Sequence, residues 1–551
     1  MSGSQGKVRA NRVRIAQREI ESGVLYWEEG RISRFLVEGE ENPELPYLLP
    51  GFVDAHVHIE SSMLVPSEFA RMALRHGTLG AVSDPHEIAN VLGLEGVQFM
   101  LASAAQTPFR FCFGAPSCVP ATPFECAGAS LGVEEVTALL DHPQIGHLAE
   151  VMNVPGVLAG EVALHAKLAA AQARGMPVDG HAPGLRGESL RRYAAAGIGS
   201  DHECTTLEEA EEKIAVGMQI LIREGSAARN FTALASLIDA YPEQVMLCSD
   251  DKHPDDLLRG HINRLVIRAI EQGLDRFNVL RCACLNPVRY YSLPLGQLEV
   301  GDPMDAILVE DLQGFALQQA WLDGVLLYDQ GELQLAPEPP LLPVNRFAAA
   351  PVTPAALRVA AREGDLLRVI EAWNGELMTR ERILAPILEQ GWVVPDIAND
   401  VLPLCVLNRY QPAPPALAFV RNFRLRRGAI ASSVAHDSHN IIAVGADLES
   451  LATAINAIID AKGGIVVVDE GKVRMLPLPV AGLMTHVDGE ITASRYANLD
   501  RRAKELGSTL RSPFMTLSFM ALLVIPELKL SDQGLFDGRD FCFTEVVIAG
   551  D

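Results

Sequence analysis

The chain has 551 residues, 48% hydrophobic and 21% charged, with 46 lysines and arginines against 70 aspartates and glutamates, for a formal net charge of −24. Mean hydropathy of +0.15 is that of a soluble globular protein, long enough for about three domains. So acidic a surface repels phosphate backbones and anionic membranes, which argues against polymeric nucleic acid or a membrane as a partner.

The polar start, Met1 to Lys7, is expected to be disordered, and no basic stretch followed by an apolar run marks a secretory signal. Nine cysteines include no Cys-x-x-Cys spacing, Cys282-x-Cys284 being the closest pair. Free thiols in a reducing cytoplasm are the expectation. Val24-Leu25-Tyr26-Trp27 and Ile32-Ser33-Arg34-Phe35-Leu36 flank Glu28-Glu29-Gly30, a hairpin pattern. This piece is too small to bury a core alone. The same short-strand character returns in residues 301–309 and 321–327, so residues 1–48 and 296–335 are expected to meet in one β-sandwich.

Between them, over residues 49–295, apolar runs at 79–82, 109–113, 176–178 and 245–248 read as strands. Helical stretches at 66–76, 133–140, 162–174 and 206–216 alternate with them. This predicts an α/β fold, a (β/α)8 barrel with its chemistry at the C-terminal strand ends. A doubly wound open sheet is the alternative; it does not account for polar clusters after so many strands. Residues 332–355, rich in proline and alanine, read as a linker. A further α/β unit over 356–551 has a helix at 448–461 before a buried strand at 464–468. The apolar run 514–525 is broken by Thr516 and Ser518 and stops at Pro526. About a dozen residues cannot span a bilayer, so it is expected in the core.

The polar clusters carry the chemistry. In Pro50-Gly51-Phe52-Val53-Asp54-Ala55-His56-Val57-His58-Ile59-Glu60 the two histidines are two apart at the end of a strand. Both imidazoles then project to one side, an arrangement suited to one divalent metal. Ser83-Asp84-Pro85-His86-Glu87 follows the next strand; later come Glu150, His181 in Asp179-Gly180-His181-Ala182-Pro183-Gly184, His202, and Asp250 in Ser249-Asp250-Asp251. The order His-x-His, carboxylate, His, His, Asp resembles the amidohydrolase superfamily of metal-dependent hydrolases. Within it, the stretches Asp84-Pro85-His86-Glu87-Ile88-Ala89-Asn90-Val91, Glu150-Val151-Met152-Asn153-Val154-Pro155-Gly156-Val157 and Ser433-Val434-Ala435-His436-Asp437-Ser438-His439-Asn440 closely resemble the bacterial adenine deaminases, and the resemblance covers nearly the whole chain.

That resemblance implies two divalent metal ions, with Mn²⁺ or Fe²⁺ favoured by the carboxylate-rich ligands and Zn²⁺ also compatible. His56, His58 and Asp250 would hold one ion, His181 and His202 the other, with Glu150 bridging where other binuclear members use a carboxylated lysine. A carboxylate can span cations roughly 3.5–4 Å apart. The implied reaction is hydrolysis of adenine to hypoxanthine and ammonia by metal-activated hydroxide, a step of purine salvage, with Asp250 as proton shuttle and Glu150 and His86 in the catalytic set. Glu60, Ser61, Asp84 and Glu87 from the barrel, and His436, Asp437, His439 and Asn440 from the C-terminal unit, are the candidates for contact with adenine. His86-Glu87 also reads as the start of a helix after Pro85. Glu150 in place of a bridging lysine counts against a dihydroorotase or hydantoinase. A homo-oligomer, a dimer first, is the expected assembly. The seven other histidines, His261 among them, are expected to be structural or at the surface.

Overall fold

Four strands open the chain: β1 (Gly6–Arg14), β2 (Glu19–Glu28), β3 (Arg31–Glu40) and β4 (Tyr47–Leu49). Eight follow among helices: β5 (Phe52–Val57), β6 (Thr78–Ser83), β7 (Arg110–Ala115), β8 (Ile145–Val151), β9 (Val178–Gly180), β10 (Ser200–Asp201), β11 (Gln219–Arg223) and β12 (Val245–Cys248). Then come β13 (Ala306–Val309), β14 (Leu317–Leu322), β15 (Val325–Asp329) and β16 (Glu332–Leu333). The structure is a computed structural model and describes residues 5–550. The disorder expected at the start does not extend to Gly6 and Lys7, which pair with Trp27 and Tyr26; Met1 to Ser4 lie outside the described residues.

The two ends do meet. β1–β4 and β13–β16 share one sheet in the order β16-β15-β14-β13-β4-β1-β2-β3. Trp27 and Trp321 touch edge to face with centroids 6.1 Å apart, in a core with Leu25, Ile32, Leu48 and Met304. Ile32 N–H donates to Asp302 O at 2.9 Å, so the sheet curls over its own apolar face. The expected strand at 301–309 starts only at Ala306. Asp302 holds the preceding turn by accepting from Gln297 N at 2.8 Å and Glu299 N at 3.1 Å. Residues 321–327 are likewise two strands, because Asp323-Gly324 adopts left-handed φ of 48° and 70°, the signature of a tight hairpin.

β5–β9 form one parallel sheet in chain order and β10–β12 another. Every residue of β5, β6 and β12 is buried, as in parallel sheets covered by helices. At one seam Gly199 N donates to Val178 O at 2.9 Å; at the other Asp250 N donates to His56 O at 2.9 Å, and Val57 and Asp250 form a parallel bridge. Asp54 reinforces the second seam, its Oδ1 accepting from Ser249 N at 2.9 Å. Its Oδ2 meets His261 Nε2 at 2.8 Å, and His261 Nδ1 meets Thr78 Oγ1 at 2.8 Å; His261 is a structural residue. The reading of residues 176–178 as strand shifts past Pro177, which has no N–H for a ladder. Thr206 caps helix Leu207–Ala215, accepting from Glu209 N at 3.3 Å.

Residues 334–353 carry no regular element yet are tied down, Val344 O accepting from Ala481 N and Ala348 N donating to Arg409 O, both at 2.7 Å. Beyond them a nine-stranded sheet includes Leu402–Leu407, Ala429–Ser432, Ile441–Gly445 and Gly464–Asp469. Helix Leu448–Ala461 covers it through Leu451, Ile455 and Ile458. The run 514–525 folds as the buried helix Pro513–Phe519 and the turns after it. Among the described residues no helix is long and apolar enough to cross a membrane.

Candidate metal centre

His56 is on β5 and His58 just past it, Glu150 is on β8, His181 and His202 directly follow β9 and β10, and Asp250 stands two residues beyond β12. All six are at C-terminal strand ends and all are buried. His56 Nε2 and His58 Nε2 are 3.2 Å apart. Asp250 Oδ1 lies 3.3 Å from His58 Nε2 and 3.8 Å from His56 Nε2. Asp250 sits at φ 54°, a left-handed conformation that aspartate tolerates better than most residues. Glu150 divides its oxygens: Oε1 is 3.5 Å from His58 Nε2, whereas Oε2 is 2.9 Å from His181 Nδ1 and 3.1 Å from His202 Nε2. The His56 and His202 rings stack at 4.1 Å, so the two halves adjoin.

This donor set fits divalent cations. A proton shared between His56 Nε2 and His58 Nε2 satisfies one pair and leaves the neighbouring lone pairs unanswered; a cation answers all of them. Burial pushes the Glu150 carboxyl up, but the His181 and His202 imidazoles outweigh it and hold the group well below its ordinary range. Burial and then Arg223 act in the same opposed way on Asp250, again with a net fall. Burial pulls His202 down, yet its hydrogen bonds to Glu150 and Glu203 and the nearby carboxylates raise it well above normal. The carboxylates therefore stay ionised and draw positive charge to this point.

A cavity opens beside the six, lined by five of them, all but His56, together with His86, Glu87, Glu203, Arg223, Asp251, His436 and Asp437. Leu377, Phe519, Leu522 and Val524 of the C-terminal unit form its apolar wall. His86 starts the helix His86–Leu92, as one reading of the sequence expects, and its side chain also lines the cavity. Its Nδ1 pairs with Asp84 Oδ2 at 3.0 Å. Asp84 does not line the cavity; its Oδ1 accepts from His86 N at 3.0 Å. Glu60 is also behind the wall, its Oε1 accepting from Ile88 N at 3.1 Å, and burial pushes its carboxyl up to about 7. Ser61 donates to Asp251 Oδ1 at 2.5 Å. His439 backs Glu87, and Asn440 is structural, donating to Cys126 O at 3.0 Å.

Sequence reasoning missed Arg223, Glu203 and the apolar wall. Arg223 Nη2 meets Glu203 Oε2 at 2.7 Å, and its Nη1 meets Asp250 Oδ2 at 2.5 Å. One Asp250 oxygen is thus held by a guanidinium while the other faces imidazoles. An arginine closing the apolar strand Gln219-Ile220-Leu221-Ile222-Arg223 was the available signal.

Residues 47–327 match the model of the amidohydrolase family, and residues 376–542 match the adenine deaminase C-terminal domain. The chain is 53% identical over 535 residues to an adenine deaminase of Salinibacter ruber, covering 97% of each chain. It is 51% identical over 534 residues to one from Methanosarcina acetivorans, covering 95% of this chain and 96% of that one. Among solved structures, a β-aspartyl dipeptidase from Fervidobacterium islandicum is similar at 17% identity and a TM-score of 0.45, over 60% of this chain and 98% of that one. By matches that run nearly end to end, the chain belongs to the amidohydrolase family and, within it, to the adenine deaminases.

Proposed function

We propose that this chain hydrolyses adenine to hypoxanthine and ammonia at a centre of two divalent cations, Mn²⁺ or Fe²⁺ before Zn²⁺. The observation that carries the reading is Glu150, whose two oxygens face the His58 side and the His181–His202 pair respectively. His56, His58 and Asp250 would hold one cation, His181 and His202 the other, and Glu150 would bridge them. Bound there, the cations supply Lewis acidity that brings the ionisation of water towards neutral pH.

The remaining work falls to the chain's own groups. Asp250, steadied by Arg223 through Oδ2, takes a proton from the attacking water as its oxygen bonds to C6. Asp250 then passes that proton to the exocyclic nitrogen, the C6–N bond breaks, and ammonia leaves. His86, fixed at Nδ1 by Asp84, turns Nε2 to the cavity, where Glu87 Oε1 lies at 3.6 Å and Asp437 Oδ1 at 3.8 Å. It serves as a second acid–base group. Glu87, His436 and Asp437 surround the base; His439 holds Glu87 from behind, Asp84 holds His86, and Glu60 holds the first turn of their helix through Ile88 N.

The same reading takes β5–β12 as a closed (β/α)8 barrel over residues 49–295, supported by the hydrogen bonds at both seams. Residues 1–48 and 296–335 form the flanking β-sandwich, and 356–551 the unit that covers the site. Nine free cysteines support a reducing cytoplasm, where the reaction serves purine salvage; the assembly is a homodimer. Ammonia release from adenine, guanine, dihydroorotate and hydantoin tests the substrate directly. Release from adenine alone is expected; release from another compound and none from adenine rejects the proposal.

A further inference from the structure

His436 is, among the described residues, the imidazole that the C-terminal unit presents to the cavity, and its ring packs near Phe519 with centroids 5.2 Å apart. Its Nδ1 meets Glu87 Oε1, and Glu87 Oε2 meets His439 Nε2. The protons in this chain of groups can be assigned. Ala435 N–H donates to His439 Nδ1 at 3.2 Å, so that nitrogen is an acceptor and the single ring proton sits on Nε2. His439 is therefore a neutral donor to Glu87. The second Glu87 oxygen accepts from His436 Nδ1–H, which leaves His436 Nε2 as the atom free to meet a ligand.

The surrounding carboxylates favour a proton on that atom. Burial pushes Glu87 up, but His436, His439 and His86 hold it well below the usual carboxylate range. Burial pulls His436 down, and Glu87, Asp251 and Asp437 outweigh it, raising the imidazole to about 9. His253 and His439 also feel His436, and it lowers both. A buried Glu-His-His cluster can also hold a cation, but the Ala435 N–H places a proton on His439 at the nitrogen such a cation would need.

We propose that His436 is a substrate contact, its Nε2–H donating to an acceptor nitrogen of the purine ring, with Glu87 and His439 as positioning residues behind it. This rests on adenine being the substrate. An imidazole held from behind by a carboxylate distinguishes a ring nitrogen from a C–H, because the donor is left buried and unpaired against the latter. The C-terminal unit would in this way read the base while the barrel carries out its hydrolysis.

The test compares the metal-loaded wild type with His436→Leu and His436→Gln on adenine and on 1-, 3- and 7-deazaadenine, by kcat/KM or, for non-substrates, by inhibition constant. A hydrogen bond from a charged donor is worth about ten- to a hundredfold. His436→Leu should lose that much on adenine, His436→Gln less, and the loss should vanish for the one analogue that lacks the contacted nitrogen. Bound metal should match the wild type in both variants; His436→Leu leaves Glu87 with a buried unpaired charge and should melt lower, whereas His436→Gln, whose amide can donate to Glu87, should melt closer to the wild type. Equal losses on adenine and every analogue, or no loss on adenine, overturn the proposal. So does a missing metal equivalent in His436→Leu, which would make the cluster a cation site. Wild-type protein that releases no ammonia from adenine rejects the substrate reading and this proposal together, a result visible without any variant.

Discussion

Asp250 shows how one side chain is given two environments. Its Oδ1 faces the imidazoles of His56 and His58 while Arg223 fixes Oδ2, so the carboxylate is ionised and cannot rotate away. Direct proton transfer by such a group is typically worth about 10²–10⁴ in rate. Asp250→Asn should lose turnover by at least that range while keeping much of its metal, measured as kcat beside metal content; activity near wild type would remove Asp250 from the mechanism. The placement of the six ligand candidates was legible because strand period and motif order agree: His56 and His58 alternate about Val57, and each later ligand follows an apolar run. Arg223 left only a weak signal, an arginine closing an apolar strand, because such a residue is more often solvated than buried. Glu60 and Asp84 read as substrate contacts by nearness in sequence, but their oxygens accept backbone N–H groups of Ile88 and His86.

At the scale of elements, two buried lysines hold the site together. Lys213 follows Glu209 by four residues, the spacing of an exposed helical ion pair, yet its side chain is 0% exposed. Its Nζ donates to Ala182 O at 2.7 Å, Asp201 Oδ2 at 2.6 Å and Glu209 Oε1 at 2.8 Å. Those partners adjoin His181 and His202, so helix Leu207–Ala215 anchors the turns that carry both candidate ligands. Lys213→Met leaves Asp201 and Glu209 as unpaired buried charges and should cost about 3–5 kcal/mol, read as a lower unfolding midpoint with weaker metal retention. An unchanged midpoint would contradict this account.

Lys529 is buried and, among the described residues, no carboxylate pairs with it; its Nζ donates to Leu377 O at 2.6 Å and Phe519 O at 2.9 Å. It thereby ties together two residues of the apolar wall. Burial lowers it from 10.5 to about 7. The folded state then binds fewer protons than the unfolded state between about 7 and 10.5, so this group's penalty is complete below pH 7 and fades as pH rises to 10.5. Its contribution should make stability climb by about 1.4 kcal/mol per pH unit within that window. Unfolding free energies of wild type minus Lys529→Met should follow that slope; a flat difference would refute it. Helix 448–461 and the hairpin around Gly30 were readable from local pattern, whereas neither lysine was, because nothing in a local pattern reports what a folded neighbour buries.

Over the whole molecule, the site belongs to two distant parts of the chain. The candidate metal ligands come from strand ends between β5 and β12, and the apolar wall from Leu377 and the run after Pro513. The run 514–525 was recognisable as core by its composition, but its service as a cavity wall depends on packing against the ends of the parallel strands. The linker likewise proves to be an anchored strap: Arg409, fully buried, donates to Asn345 Oδ1 at 2.9 Å and Ala481 O at 2.6 Å. Such long-range pairings bring the covering unit onto the strand ends and leave no local trace in the sequence.

On the proposed mechanism six side chains hold two cations that the reaction requires. Metal-free protein should be titrated with Mn²⁺ while ammonia release from adenine and bound metal are followed on the same sample. Activity should rise from zero and saturate at two equivalents per chain. Full activity without metal, or saturation with the His181–His202 half still empty, would contradict the account.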